Sequence, residues 1–232
     1  RSLGVTIQTG VSVRAIREDG ARRAVEVVID GETLSLSADL VVNGAGRRPA
    51  VEDLDLEAGG IRSDRGHIEV DVNLRSLTNP SVYVAGDALA ASPQLSPVAS
   101  YEGRIAGENA INDAKESPDY SSIPSAVYTV PAIASVGLDE AGAQAAGLEP
   151  VVKVNDMRDW RSAKTYAEQV AFAKVLIDPG TDRILGAHLA GHGAEEVIHL
   201  FTLAMKTQLT ASELAAMTYA YPTFSSDLKF LV

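Results

Sequence analysis

Apolar residues recur along this chain at two spacings, every second position in some stretches and every third or fourth in others. Val5 and Ile7, Val11 and Val13, and then Ile68, Val70 and Val72 alternate with polar neighbours, which predicts half-buried strands. Val25–Ile29 and Leu34–Leu36 are separated by Asp30-Gly31, a two-residue hairpin signal that depends on positive φ at both positions. Asp39-Leu-Val-Val leads into Gly44-Ala-Gly46, and Val82-Tyr-Val-Ala85 forms a buried-strand run ending at Gly86-Asp87. Further strands are predicted over 126–129, 133–136, 150–154, 170–177 and 184–190, with Asp178–Asp182 as the turn between the last two.

The longer spacing predicts helices. One opens at Ser96-Pro97, where a capping residue precedes proline in the first turn, and Val98, Ile105 and Ile111 supply its apolar stripe. A second covers 139–146 and stops at Gly147; a third covers 194–207, with Val197, Phe201 and Ala204 or Met205 on one face. Thr210-Ala-Ser-Glu213 is a capping-box pattern opening a fourth. The polar stretch from Asn155 to Lys164, around Trp160 and Arg161, reads as a loop. These elements divide the chain into a β-rich segment at 1–46, a second unit at 47–118 and an α+β domain at 119–232.

Composition narrows the function classes. The 232 residues are 46% hydrophobic and 22% charged, as in an ordinary globular protein. No run of eighteen consecutive apolar residues occurs, so no membrane span is expected. A net charge of −11 disfavours nucleic acid and anionic membrane as partners, because its field repels both. Cysteine is absent, so this chain runs no thiol chemistry of its own. His188, His192, Glu195, Glu196 and His199 crowd into twelve positions. No His-Glu-x-x-His pattern joins them, and acidic residues at a helix start explain Glu195 and Glu196 better than metal does. No metal site is therefore expected. The chain opens Arg1-Ser2-Leu3-Gly4 with no initiator Met or signal segment, which reads as a boundary inside a longer polypeptide.

The run ending at Gly86-Asp87 carries the first candidate chemistry. Glycine lets backbone or ligand approach closely, and an aspartate at a strand's carboxyl end can accept hydrogen bonds from a ribose or polyol. The helix start at Ser96-Pro97 adds free N–H groups and the positive end of a helix dipole, suited to a group that gains negative charge. A turn with a solvated aspartate and an ordinary capped helix account for the same residues without a ligand.

Four stretches in order settle which reading is preferred: Gly44-Ala-Gly-Arg-Arg-Pro49; Ser81-Val-Tyr-Val-Ala-Gly-Asp87, followed by Leu95-Ser-Pro-Val-Ala99 and Glu102-Gly103; Val130-Pro-Ala-Ile-Ala-Ser-Val-Gly137; and Ala220-Tyr-Pro-Thr-Phe-Ser-Ser-Asp227. Together they resemble the pyridine nucleotide-disulfide oxidoreductases, the family of glutathione reductase, dihydrolipoamide dehydrogenase and mercuric reductase. The resemblance implies the end of a two-dinucleotide-binding flavoprotein, α/β in its nucleotide domains, followed by an antiparallel-sheet-and-helix dimerisation domain. The segments 1–46, 47–118 and 119–232 then correspond to the ends of the NAD(P) and FAD domains and to the dimerisation domain.

By the same resemblance Asp87 bonds the ribityl chain of FAD, with Gly86 beside it. Ser96 meets the flavin through its backbone, and Gly46 lies near the NAD(P)H nicotinamide. The implied protein is a cytoplasmic homodimer that moves a hydride from NAD(P)H to flavin and on to a small-molecule electron acceptor. The family's two Gly-x-Gly-x-x-Gly motifs and its redox cysteines lie upstream of the resembling region, so the chain alone is expected to be inactive and to bind flavin weakly or not at all.

The pattern departs from the disulfide reductases near the C-terminus. Their His-Pro pair is Tyr221-Pro222 here, and their following Glu aligns with Ser226, or with Asp227 after one residue of slip. Tyrosine, with an ordinary pKa of about 10, is a poor proton shuttle but a good hydrogen-bond donor. Tyr221 is therefore the candidate residue on the acceptor side of the partner's site, and thiol–disulfide exchange is not assured. Two alternatives are a transhydrogenase- or diaphorase-type flavoprotein and a non-catalytic dimerisation module.

Overall fold

The computed structural model describes residues 4–90, 92–112 and 115–232; the opening Arg1-Ser2-Leu3 lies outside them. The chain divides into two compact units, 1–48 and 49–232. Unit one is an antiparallel meander of β1 (Ser12–Asp19), β2 (Arg22–Ile29) and β3 (Glu32–Ala38) in that order. Asp30 and Gly31 both take positive φ, 51° and 86°, and turn β2 into β3 as their sequence predicts. Val13 and Ile16 oppose Val27 and Val25, which in turn oppose Leu34 and Leu36, so these six share one face. The Val5–Ile7 alternation is not a strand: it finds no ladder, and both side chains are exposed.

The first strands of unit two form a small hairpin, β4 (Ser63–Asp64) and β5 (His67–Ile68). Val82–Ala85 is not the strand its composition predicts. It meets residues 74–76 through an isolated bridge, Arg75 to Tyr83, and two flanking bonds, Val84 N–H to Leu74 O and Ser76 N–H to Val82 O. A strand needs a neighbour along its length. Val84 is buried nonetheless, in a core with Ile68, Leu74, Leu89 and Ile105. The segment then enters a 3-10 turn, Gly86–Ala88, which leads to α1 (Ser96–Asn112). Val98 and Ile105 face inward, but Ile111 is exposed on the last turn of α1.

The remainder is a five-stranded antiparallel sheet in the order β6-β7-β10-β9-β8: β6 (Ser125–Val127), β7 (Ile133–Gly137), β8 (Val151–Asp156), β9 (Phe172–Ile177) and β10 (Ile184–Ala190). Between strands lie α2 (Glu140–Ala145), capped by Asp139 and followed by Gly147 at φ 70°, and α3 (Arg161–Thr165). The helix α3 replaces the predicted loop. Ser162 and Ala163 are buried on it, so packing rather than propensity makes the turn. Next come α4 (Ala194–Thr207), α5 (Ala211–Ala216) and α6 (Leu228–Leu231). The Thr210 capping box forms as predicted: Thr210 Oγ1 accepts from Glu213 N–H at 3.1 Å, and Glu213 Oε2 accepts from Thr210 N–H at 2.9 Å. Val197, Ile198, Phe201 and Ala204 of α4 bury into the sheet beside Val136, Val175 and Ala187. Among the described residues no helix is long and apolar enough to cross a membrane.

Candidate functional site

The turn at Gly86 is built by three constraints. Ala85 is extended, Gly86 takes φ +77°, and Leu89 N–H donates to Gly86 O at 2.9 Å. The positive φ favours glycine, and a Cβ at Gly86 would stand 3.2 Å from the Ala99 Cβ in the first turn of α1, a tight contact. The Gly86 N–H donates to Glu102 Oε2 at 2.6 Å, fixing the turn to the second turn of the same helix. Asp87 follows, half-buried. The structure thus brings Gly86 and Asp87 against the helix that Ser96 opens.

Ser96 is exposed at the head of α1, and Ala99 N–H donates to Leu95 O at 3.0 Å. The first turn of α1 carries no acidic side chain, so no carboxylate of that turn offsets its positive end. Free amide groups at the head of a helix suit a ligand that gains negative charge.

Gly46 and Tyr221 are carried by other segments of the chain. Gly46, at φ +101°, belongs to unit one, as does Arg47. Tyr221 belongs to the C-terminal segment, with 68% of its surface exposed in the single chain. Its neighbours Pro222, Thr223 and Phe224 line a cleft with Ser162, Thr165 and Tyr166. Ser226 and Asp227 are both buried; Ser226 is spent within the segment, and Asp227 ties it to α3. Ser226 N–H donates to Thr223 Oγ1 at 3.1 Å, and the Ser162 hydroxyl donates to Asp227 Oδ2.

Burial pushes the Asp227 carboxyl above its usual range, and the Ser162 bond only partly opposes this. The folded form therefore binds the proton more tightly, and stability falls as pH rises from about 4 through the folded pKa. Asp227→Asn keeps an acceptor for Ser162 and cannot ionise. Its melting temperature is expected to gain on the parent between pH 4 and pH 7, with the gain vanishing below pH 4. A difference independent of pH would show that Asp227 is not the group responsible.

His188 and His192 have partners within the fold, and His199 is exposed. His188 Nε2 bonds Leu138 O at 3.0 Å, while His192 stacks on Tyr166 at 4.4 Å between centroids and lies 5.2 Å from Phe224. No cluster of three or more His, Cys, Asp or Glu side chains that could hold a metal ion occurs among the described residues.

Two residues given no role in the sequence reading belong to the turn. Glu102 is fully buried, and its second oxygen accepts from the Tyr120 hydroxyl at 2.6 Å. Burial, and then the Glu102 carboxylate, raise the Tyr120 pKa and keep that hydroxyl protonated. The signal was present: Glu102 falls on the stripe Val98, Glu102, Ile105, Ala106, Asn109, where a carboxylate is out of place unless paired.

Comparison with known proteins gives a consistent family. The profile described as "Pyridine nucleotide-disulphide oxidoreductase" matches residues 1–103, and its "dimerisation domain" profile matches 123–231. An uncharacterized 19.7 kDa protein of a mercuric resistance operon of Staphylococcus aureus is 39% identical over 180 residues, which are 77% of this chain and all of that protein. The mercuric reductase of Bacillus cereus is 33% identical over 230 residues, 99% of this chain but 36% of that enzyme. The crystal structure of LpdA from Mycobacterium tuberculosis superposes with a TM-score of 0.86 at 25% identity, covering 99% of this chain and 49% of that one. The chain thus spans half or less of these two longer relatives.

Proposed function

Because the chain belongs to the pyridine nucleotide-disulphide oxidoreductase family, we propose that it forms the C-terminal part of an FAD-dependent NAD(P)H oxidoreductase acting as a cytoplasmic homodimer. The observation that carries the reading is the Gly86 turn, whose backbone a Cβ would crowd and which delivers Asp87 beside the head of α1. That arrangement fits a polyol-bearing, electron-accepting group. When bound, FAD supplies the chemistry by taking a hydride from NAD(P)H and passing electrons to a small-molecule acceptor.

The protein's own residues bind and orient. Asp87 accepts hydrogen bonds from the ribityl hydroxyls, and the backbone at Ser96 presents the positive end of α1 to the flavin. Gly46 gives close approach for the nicotinamide. Tyr221 of the partner subunit donates a hydrogen bond on the acceptor side. With tyrosine in place of the disulfide reductases' histidine, an acceptor that needs no proton shuttle is the better match.

The test is a chimera that joins this chain behind the residues preceding the matching region of the Bacillus cereus mercuric reductase. It is expected to purify yellow, as a dimer, and to oxidise NAD(P)H. Asp87→Ala in that chimera should weaken FAD binding by about 10- to 100-fold, the loss of a charge-assisted hydrogen bond. Equal FAD affinity in the folded variant would remove Asp87 from the site.

A further inference from the structure

Adjacent residues of α1 grip adjacent residues of the segment that leads into the five-stranded sheet. Glu102 takes the Tyr120 hydroxyl at 2.6 Å, and the Tyr101 hydroxyl accepts from Asp119 N–H at 2.9 Å. Further along, Asn109 Nδ2 donates to Glu116 O at 2.9 Å, and Asn109 Oδ1 accepts from Glu116 N–H at 3.0 Å. The Asp119 carboxylate then reaches Lys206 on α4 at 3.2 Å. On its other oxygen Glu102 holds the Gly86 N–H. One carboxylate therefore joins the turn before Asp87 to the segment that meets α4.

We propose that Glu102 is a positioning residue that holds the Gly86–Asp87 turn and, through Tyr120, couples its order to that of the 116–120 segment and the C-terminal domain beyond it. The role assigned to the turn rests on the cofactor reading above, whereas the coupling rests on geometry alone. Chemistry makes Glu102 suited to the task. A carboxylate can accept on both oxygens, so it serves an amide N–H and a phenol O–H at once, and burial leaves the Gly86 amide no water as a substitute. The Gly86 N–H has little freedom to turn elsewhere, since the Leu89 N–H to Gly86 O bond closes the 3-10 turn around it. The residue sits in the buried stripe of a long helix, so movement of the Tyr120 segment reaches the turn through a rigid element.

Hydrogen exchange on the 232-residue chain without flavin tests the coupling. Tyr120→Phe keeps the ring and removes only the hydroxyl, more than thirty positions from the turn. It is expected to speed exchange of the amides at 85–88 by about five- to tenfold, the loss of one hydrogen bond. Glu102→Leu should speed exchange at both 85–88 and 119–121. Glu102→Gln should restore slow exchange at both, because its amide can accept from Gly86 N–H and donate to the Tyr120 oxygen. Faster exchange confined to 119–121 in Tyr120→Phe would overturn the proposal, leaving two separate local bonds. If Glu102→Leu fails to fold, the Tyr120→Phe and Glu102→Gln results still decide. The cofactor reading fails separately, through an unchanged FAD affinity of the Asp87→Ala chimera.

Discussion

Glu102→Leu is expected to destabilise unit two by about 2–4 kcal/mol, and Glu102→Gln by about 1 kcal/mol. Two effects oppose each other in the leucine variant. Removing a fully buried carboxylate recovers its desolvation cost, which alone favours leucine. Against that, the Gly86 N–H and the Tyr120 hydroxyl lose their acceptors together. Each orphaned buried donor costs about 1–3 kcal/mol. Tyr120 is half-buried and can rotate its hydroxyl toward water, but the Gly86 amide is buried in a turn closed by the Leu89 N–H to Gly86 O bond. The unpaired amide therefore outweighs the recovered solvation. Glutamine keeps the shape and both bonds and loses only the assistance of charge. Urea unfolding of the three proteins checks this. A leucine variant as stable as the parent would mean that desolvation dominates and that the turn finds another partner.

What could be read from the sequence were the features with local causes. Asp30-Gly31, Thr210 to Glu213, the stop at Gly147 and the opening of α1 at Ser96-Pro97 each depend on residues within one turn of each other. The ranges predicted for the five strands of the C-terminal sheet differ from β6–β10 by at most two residues at an end. What could not be read depends on a distant partner. Val82–Ala85 has the composition of a strand, but strand pairing is a property of two segments, and residues 74–76 supply little of one. The helix α3 exists because Ser162 and Ala163 have something to pack against, including the C-terminal segment through Asp227.

The candidate site divides in the same way. Gly86 and Asp87 stand out in a sequence because a glycine–carboxylate pair at the end of an apolar run is unusual. Ser96 stands out because proline follows it. Glu102 looks like any helical glutamate until its register on α1 is counted, and Tyr120 lies eighteen positions further on with no pattern to connect them. Tyr221 is the reverse case. Its departure from the disulfide reductases is plain in the sequence, while within the single chain it is exposed beside the cleft of Ser162, Thr165 and Tyr166.

The sheet that carries this C-terminal segment has its own point of greatest sensitivity, where Gly137 of β7 and Gly186 of β10 face each other. A Cβ on Gly186 would fall 1.9 Å from Leu138 O, and one on Gly137 would fall 2.3 Å from Leu185 O with φ already at +75°. Both obstacles are backbone, which cannot swing aside as a side chain can. The same Leu138 carbonyl bonds His188 Nε2, so displacing it also breaks that contact. Gly186→Ala is therefore expected to cost about 4 kcal/mol or more, at the severe end of single substitutions. Gly107→Ala on α1 provides the contrast. Nothing lies within 4 Å of its added methyl, and alanine in a helix interior should gain about 0.5–1 kcal/mol. Thermal unfolding of both variants reads the difference directly, with Gly186→Ala losing its cooperative transition or melting well below the parent. A Gly186→Ala protein melting within a few degrees of the parent would mean that β7 and β10 can separate without loss, and that the close approach of the two strands is not what holds the domain together.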